Sequence, residues 1–445
     1  MRNIDLTKGN ILTVLIELAL PIMATSFIQM AYNLTDMLWI GKLGANAVAS
    51  VGAAGMFMWF SNGLIMIARM GGQVKCGQLL GAKKYEKAGL YASNAILFAM
   101  MLALGFGAIS IIFANYMIGF FAFDNISVVN DAKIYLMITC GFVVFSFLNQ
   151  IYTALLSAAG NSKSSFIVNT IGLVFNIILD PICIFGIGSF SGMGVKGAAL
   201  ATVVSQLCVT LLFQIVLAKE KLLFPHVKLR QFPKWSMIQD MIRIGGPTGL
   251  QNMLFSSISM GIARMVSGFG AAAVAVQKIG SQIESISWMT SDGFAASLNS
   301  FTAQNYGANL QERVKKGFRI ALRVMIGWGI FTTLVLFLGS EHLFSIFIQE
   351  KDVIPLGIDY LQILACSQLF MCIEITTSGV LTGLGITMPS AIVSVFFNFI
   401  RLPLSALLIP MMGLNGIWWS ITFTSILKGI TILSYYLIKR HHNEV

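Results

Sequence analysis

The sequence predicts an all-α integral membrane protein with 12 transmembrane helices, arranged as two six-helix bundles related by pseudo-twofold symmetry. Three observations predict this fold class: the composition, the number of long apolar segments and an internal repeat. Of the 445 residues, 56% are hydrophobic and 11% are charged, and the mean hydropathy is +0.81. Soluble domains carry about 25% charged residues, so the composition excludes a soluble protein.

Twelve apolar segments are long enough to cross a bilayer, because about 20 apolar residues in a helix span its hydrocarbon core. In chain order they lie at residues 14–40, 47–69, 89–114, 132–158, 165–188, 194–218, 241–268, 273–303, 315–339, 356–383, 388–410 and 413–438. Basic residues concentrate in the even-numbered connections, and they include Arg69, Lys75, Lys83, Lys84 and Lys87 after the second segment and Arg313, Lys315 and Lys316 after the eighth. Because cytoplasmic loops carry the excess of lysine and arginine, these connections and both termini are predicted to be cytoplasmic.

The two halves of the chain are similar in sequence. Pro21 matches Pro247, 226 residues further along, and FNIILDP at 175–181 matches FNFIRLP at 397–403. The longest connection separates the halves, so we predict an N-terminal six-helix bundle at 1–218, a cytoplasmic linker at 219–240 and a C-terminal six-helix bundle at 241–445. Parallel repeats of this kind are typical of transporters.

Two aspartates interrupt apolar segments of the first half. A carboxylate in hydrocarbon costs at least ~2.5–3.5 kcal/mol on insertion scales, so it is rarely present without a function. Under the repeat alignment Asp36 corresponds to Ile262 and Asp180 to Leu402. Because a structural requirement of the repeat would more often appear twice, the asymmetry favours a functional site. The alternative is that both acids only bond neighbouring helices.

Helix geometry places these acids at one depth. At ~1.5 Å per residue, Asp36 and Asp180 each lie ~22 Å from the cytoplasmic side, and Thr202 reaches the same outer layer. Asn176 lies one turn before Asp180, and Tyr32 and Asn33 lie one turn before Asp36. Oxygen ligands of this kind suit a hard cation, so Asp36, Asn176, Asp180 and Thr202 are predicted to bind Na⁺ or H⁺.

Further charged residues interrupt segments of the second half. Glu284 and Glu374 lie near the middle of the eighth and tenth segments, and Glu374 corresponds to Asn149 in the first half. Two interpretations stay open for these acids: contact with a cationic substrate or a second proton site, or ion pairs with Lys278, Arg264 or Arg401. Arg401 is itself deep in its segment, where either a salt bridge or a substrate contact is consistent with its position.

The sequence lacks the motifs that are typical of several other functional classes. The sequence has no G-x-x-x-x-G-K-[ST] phosphate loop and no Ser/His/Asp constellation, so we predict neither an ATPase nor another enzyme. The net charge of +11 reflects basic cytoplasmic loops rather than a nucleic-acid partner. We expect a monomer that needs no organic cofactor.

Several stretches carry a resemblance to the multidrug and toxic compound extrusion (MATE) family, within which the chain is most similar to the DinF-like branch. They include PIMATSFIQMAYNLTDMLWIGKLG at 21–44, LLSAAGNSKSSFIVNTIGLVFNIILDPI at 155–182, GVKGAALATVVSQ at 194–206, GFAASLNSFTAQNYGA at 293–308 and GVLTGLGITMPSAI at 379–392. The resemblance implies export of drugs or organic cations across the plasma membrane in exchange for H⁺ or Na⁺.

The same resemblance implies roles for individual residues. It assigns Asp36, Asn176, Asp180 and Thr202 to the cation site and places Tyr32 and Tyr135 beside it. Gln251 takes the place of an acid found on the seventh helix of another branch, so with Glu284, Glu374, Asn149 and Arg401 it is a candidate for the substrate cavity. A lipid-linked oligosaccharide or lipid flippase of the same superfamily is the alternative, and Arg264 and Arg401 keep it open.

Overall fold

The computed structural model describes residues 4–121, 123, 125–188, 190–229, 233–347, 350 and 353–441. The described chain is helical apart from short connections and a two-residue hairpin, in which β1 (Gly186–Ile187) pairs antiparallel with β2 (Phe190–Ser191). The helices are α1 Ile11–Gly41, α2 Ala45–Gly81, α3 Tyr85–Ile112, α4 Ala114–Gly119, α5 Ile126–Gly141, α6 Val143–Ala158, α7 Ser162–Phe185, α8 Gly194–Lys219, α9 Trp235–Ser267, α10 Ala271–Gly307, α11 Gln311–Leu338, α12 Ser340–Ser345, α13 Ile354–Leu384, α14 Met388–Met412 and α15 Leu414–His441.

Each of the twelve predicted segments has a helical counterpart, which confirms the predicted fold class. Within the described residues, nine helices are long and apolar enough to cross a membrane, and α5 with α6 forms a tenth span bent by 43°. The remaining two long helices, α9 and α10, contain more polar residues, among them Arg264 and Glu284. Helices that face a polar interior are expected to be less apolar than those that face lipid.

Several basic residues lie in helices rather than in the connections where we predicted them. Arg69 and Lys75 belong to α2, which continues to Gly81 before a connection of only three residues. The turn after α2 is made by Lys83, whose φ is 58°, and the turn after α10 is made by Asn309, whose φ is 59°. A left-handed residue just past a helix reverses the chain in very few residues. At ~1.5 Å per residue, the 37 residues of α2 and the 37 of α10 are longer than the ~30 Å hydrocarbon core of a bilayer.

The chain forms two compact units. Unit 1 contains Met1–Leu6 and Ala24–Gly249, and unit 2 contains Thr7–Met23 and Leu250–Val445. Helices α1 and α9 therefore each contribute residues to both units. Helix α9 begins inside the connection 219–240, and its first four turns belong to unit 1; the boundaries at 218 and 241 stay a prediction.

The first turns of α9 pack closely within unit 1. A Cβ at Gly245 would lie 2.0 Å from the carbonyl oxygen of Ile67 on α2, so only glycine allows this approach of the two backbones. One turn earlier, Asp240 accepts a 2.5 Å hydrogen bond from Tyr91 on α3 and lies 3.6 Å from the Lys75 ammonium. The start of α9 is thus fixed to α2 and α3 by close packing and by charge.

Gly245→Ala should lower the stability of the protein by ~1–3 kcal/mol, the usual cost of overpacking. Gly246→Ala is the matched control, because the nearest atom to its added Cβ would be Ile242 Cγ2 at 3.6 Å, an ordinary contact. The apparent melting temperature of each purified variant, followed by tryptophan fluorescence, measures the effect. Equal melting temperatures for the two alanine variants would contradict the close approach of α9 to α2.

Candidate functional site

Helix α7 buries the acid that interrupts the fifth apolar segment. The helix begins after Asn161, whose side chain accepts a 3.2 Å hydrogen bond from the backbone N–H of Ser164, a capping contact that satisfies one of the first free N–H groups. Asp180 lies about five turns further on and is 0% exposed. Asn176 Nδ2 donates a 3.2 Å hydrogen bond to Asp180 Oδ1, so the two side chains share one face of the helix, as their spacing predicts.

Three buried side-chain oxygens of this region have no hydrogen-bond partner in the described part of the chain. They are Asp36 Oδ1 on α1, Asn176 Oδ1 and Asp180 Oδ2. Buried polar atoms are bonded in the great majority of cases, and an unpaired one costs about 1–3 kcal/mol, more when it carries charge. Because all three atoms are electron-pair donors, a cation or a proton is the ligand that satisfies them.

Hydroxyl groups complete the surroundings of the two acids. Thr202 on α8 donates a 3.0 Å hydrogen bond to the carbonyl oxygen of Ala198. The side chains of Tyr32 on α1 and Tyr135 on α5 lie close to the Thr202 hydroxyl. Each tyrosine also interacts electrostatically with Asp36 and Asp180, and the two acids interact with each other.

The structure therefore brings most of the predicted site together within unit 1. Four helices, α1, α5, α7 and α8, supply its carboxylate, amide and hydroxyl oxygens. Asn33 is the exception, because it is exposed and accepts a 3.4 Å hydrogen bond from Gln29. At 100° per residue, Tyr32 and Asn33 lie on opposite sides of the Asp36 direction, and only the Tyr32 side faces the cluster. We expected both residues there.

The donor set of this cluster is made of hard oxygen atoms. Such atoms suit Na⁺, H⁺ and similar hard cations, whereas transition metals prefer nitrogen and sulfur ligands. Among the described residues, no group of three or more His, Cys, Asp or Glu side chains could hold a metal ion. The residues present fit a monovalent cation or a shared proton, with Asp36 and Asp180 supplying the charge.

In unit 2, Glu374 has an ion partner that we did not expect. Its carboxylate lies 3.0 Å from the Lys428 ammonium on α15 and accepts a 2.9 Å hydrogen bond from Ser394 on α14. We predicted Lys278, Arg264 or Arg401 as partners, and none of these forms the pair. Lys428 was overlooked, although a lysine inside the twelfth apolar segment is itself a signal of an intramembrane partner.

Glu284 and Arg401 have neutral partners. Gln368 on α13 donates a 3.0 Å hydrogen bond to Glu284. Arg401 donates from Nε to Thr424 at 2.9 Å and from Nη2 to Ser425 at 3.0 Å. Glu284 and Arg401 also interact electrostatically with each other.

Asn149 and Gln251, the other two candidates for the substrate cavity, lie in different units. Asn149 in unit 1 donates to the Gln206 carbonyl at 2.9 Å and to its Oε1 at 2.8 Å, and it accepts from Thr210 at 2.8 Å. Its amide is thus used between α6 and α8, as a buried polar group requires. Gln251, on α9 in unit 2, is half-buried, and its role as a substrate contact stays a prediction.

Comparisons with known proteins agree with this architecture. A family model described as MatE matches residues 21–182 and 247–407. The "Probable multidrug resistance protein NorM" of Thermotoga maritima is 29% identical over 435 residues, which cover 94% of this chain and 92% of that protein. The FAD transporter of Shewanella oneidensis is 25% identical, covering 96% of this chain and 94% of that protein. A solved MOP superfamily transporter from Pyrococcus furiosus, 20% identical, has a TM-score of 0.89 and covers 99% of this chain and 98% of that one.

Asp180→Asn should stabilise the protein, because it replaces a fully buried carboxylate by a neutral group of the same shape. Function-related residues commonly cost stability in this way, and we expect a gain of about 0.5–2 kcal/mol. Asp131→Asn, near the start of α5, is the matched control and should leave the melting temperature unchanged. Thermal unfolding of the purified proteins in sodium-free, potassium-based buffer provides the measurement. A lower melting temperature for the Asp180 variant would mean that this carboxylate holds the helices together.

Proposed function

Because the chain belongs to the MatE family and is a membrane transporter rather than an enzyme, we propose that it exports drugs or organic cations across the plasma membrane in exchange for H⁺ or Na⁺. The family model covers both halves of the sequence repeat, and a relative of matching length is named for multidrug resistance. We further place the chain in the DinF-like branch, acting as a monomer with both termini in the cytoplasm.

The observation that supports ion coupling is the set of unpaired oxygens at Asp36, Asn176 and Asp180. Two carboxylates within electrostatic range repel each other, and a bound cation or proton removes that repulsion. An ion that binds one access state better than another shifts the equilibrium between them by the difference in affinity. A shift from 1:99 to 99:1 requires a difference of about 10⁴-fold, or ~5.5 kcal/mol, a magnitude that electrostatics in a buried site can supply.

A lipid-linked oligosaccharide or lipid flippase is the alternative function. Arg401 is the observation that favours it, because a guanidinium group binds phosphate through paired hydrogen bonds. The two carboxylates of unit 1 oppose it, since they would repel a phosphate group. Substrates also differ among the relatives, one of which is named as a transporter of FAD. The substrate class is therefore part of the proposal.

Proteoliposomes loaded with a cationic fluorescent dye test the proposed function. Export should occur when a Na⁺ or H⁺ gradient is imposed, and applying the two gradients separately identifies the coupling ion. Asp36→Asn and Asp180→Asn should each reduce gradient-driven export to the level of empty vesicles, because an amide cannot exchange a proton and binds Na⁺ weakly.

The exposed Glu341→Gln is the matched control for loss of a carboxylate and should transport at the wild-type rate. Sidedness of the reconstituted protein is checked by protease access, so that a low rate is not mistaken for reversed insertion. Full gradient-driven export by the Asp36→Asn, Asp180→Asn double variant would rule out coupling through this cluster.

A further inference from the structure

Four charged side chains of unit 2 lie within electrostatic range of one another. Helices α10, α13, α14 and α15 supply, in that order, Glu284, Glu374, Arg401 and Lys428. Arg401 interacts with both acids, and Lys428 interacts with Glu374 and with Arg401. Two acids and two bases give the group no net charge, in contrast to the acids of unit 1. Charges at this depth are costly unless each has a partner or a ligand.

One acid and one base of this group neutralise each other. The Glu374 carboxylate lies 3.0 Å from the Lys428 ammonium, and its other oxygen accepts from Ser394 at 2.9 Å. Both side chains are buried, at 8% and 7% exposure. An acid and a base in direct contact carry no net charge together, so this pair leaves no charge for a ligand to neutralise.

The other acid and base have no such partner. Among the described residues, no carboxylate forms an ion pair with Arg401, and Glu284 has none with a base. Thr424 and Ser425 bond Nε and Nη2, which occupy one edge of the guanidinium plane. Nη1 has no hydrogen-bond partner among the described residues, and with the second N–H group of Nη2 it forms the other edge of the guanidinium plane. That edge is the one that binds a carboxylate end-on through two parallel hydrogen bonds.

Two buried amide oxygens nearby are also unsatisfied. Gln368 Oε1 and Asn398 Oδ1 have no hydrogen-bond partner among the described residues, and their side chains are 0% and 3% exposed. Gln368 is bonded through its nitrogen to Glu284, and Asn398 lies one helical turn before Arg401. Both atoms are hydrogen-bond acceptors, so each can bind a donor such as an ammonium group.

We propose that Glu284 and Arg401 form a binding site for a zwitterionic substrate, with Arg401 holding its carboxylate and Glu284 its ammonium group. This assignment rests on the proposed export function and names one substrate class for it. A monocation at Glu284 leaves the Arg401 charge without a counterion in a medium of low polarity, whereas a zwitterion compensates both charges at once. Gln368, which bonds Glu284, supplies through its unpaired Oε1 an acceptor for a further ammonium proton.

Equilibrium binding to the purified full chain in nanodiscs tests the assignment. The probe is Nε-dansyl-lysine, a fluorescent zwitterion, and its methyl ester is the matched monocation. Arg401→Gln should weaken binding of the zwitterion about tenfold, or ~1.4 kcal/mol, and leave binding of the ester unchanged. Glu284→Gln should weaken both probes, since both keep the ammonium group. Arg264→Gln, an exposed arginine of α9, is the control and should change neither affinity.

Arg401→Lys provides a second variant in case the glutamine variant misfolds. It keeps the charge but loses the planar fork, so it should weaken the zwitterion severalfold and spare the ester. The readout is taken from whichever Arg401 variant remains monodisperse. An equal loss of affinity for both probes, or no loss for either, overturns the assignment.

The same binding assay, performed without an ion gradient in the Asp36→Asn, Asp180→Asn background, separates the two proposals. The difference in affinity between the zwitterion and its methyl ester should persist in this double-variant background. If dye export fails while the discrimination remains, only the proposed coupling is wrong. If export succeeds and the discrimination is absent, only the zwitterion site is wrong.

Discussion

Inside a bilayer every polar atom has to be satisfied by the protein or by something the protein binds, because no bulk water is available to replace a missing partner. Helices meet this requirement for the backbone. Side chains meet it through contacts such as those of Asn149, whose amide is bonded to Gln206 and Thr210 on α8. Asp36, Asn176 and Asp180 each keep one buried oxygen without a hydrogen-bond partner among the described residues, which is the observation behind the proposed cation site.

The two units treat their buried charges differently. In unit 1, Asp36 and Asp180 influence each other electrostatically, and neither forms an ion pair with a base among the described residues. In unit 2, Glu374 and Lys428 are paired directly, whereas Glu284 is bonded to Gln368 and Arg401 to Thr424 and Ser425. The two halves of the sequence repeat thus differ in the buried charges that they contain.

Close packing connects these interiors to the rest of each unit. Gly245 brings α9 against α2 in unit 1, and Ser297 of α10 donates a 2.9 Å hydrogen bond to the Leu15 carbonyl of α1 in unit 2. The first helix of each sequence half therefore takes part in both compact units. The boundary between the units falls two residues beyond Pro21 in α1 and two residues beyond Pro247 in α9.

The positions of the membrane-spanning helices and of the charged residues inside them follow from the sequence. The length of an apolar segment predicts a span, and a charged residue within that segment is visible in the sequence. The sequence thereby predicted Asp36, Asn176 and Asp180, because helical spacing and depth follow from counting residues. The partners became visible only in the folded structure. Glu374 pairs with Lys428 and not with Lys278, Arg264 or Arg401, and of the two predicted neighbours of Asp36, Tyr32 lies beside the acids while Asn33 is exposed. Contacts between helices depend on their rotation and packing, which residue counting along one helix does not specify.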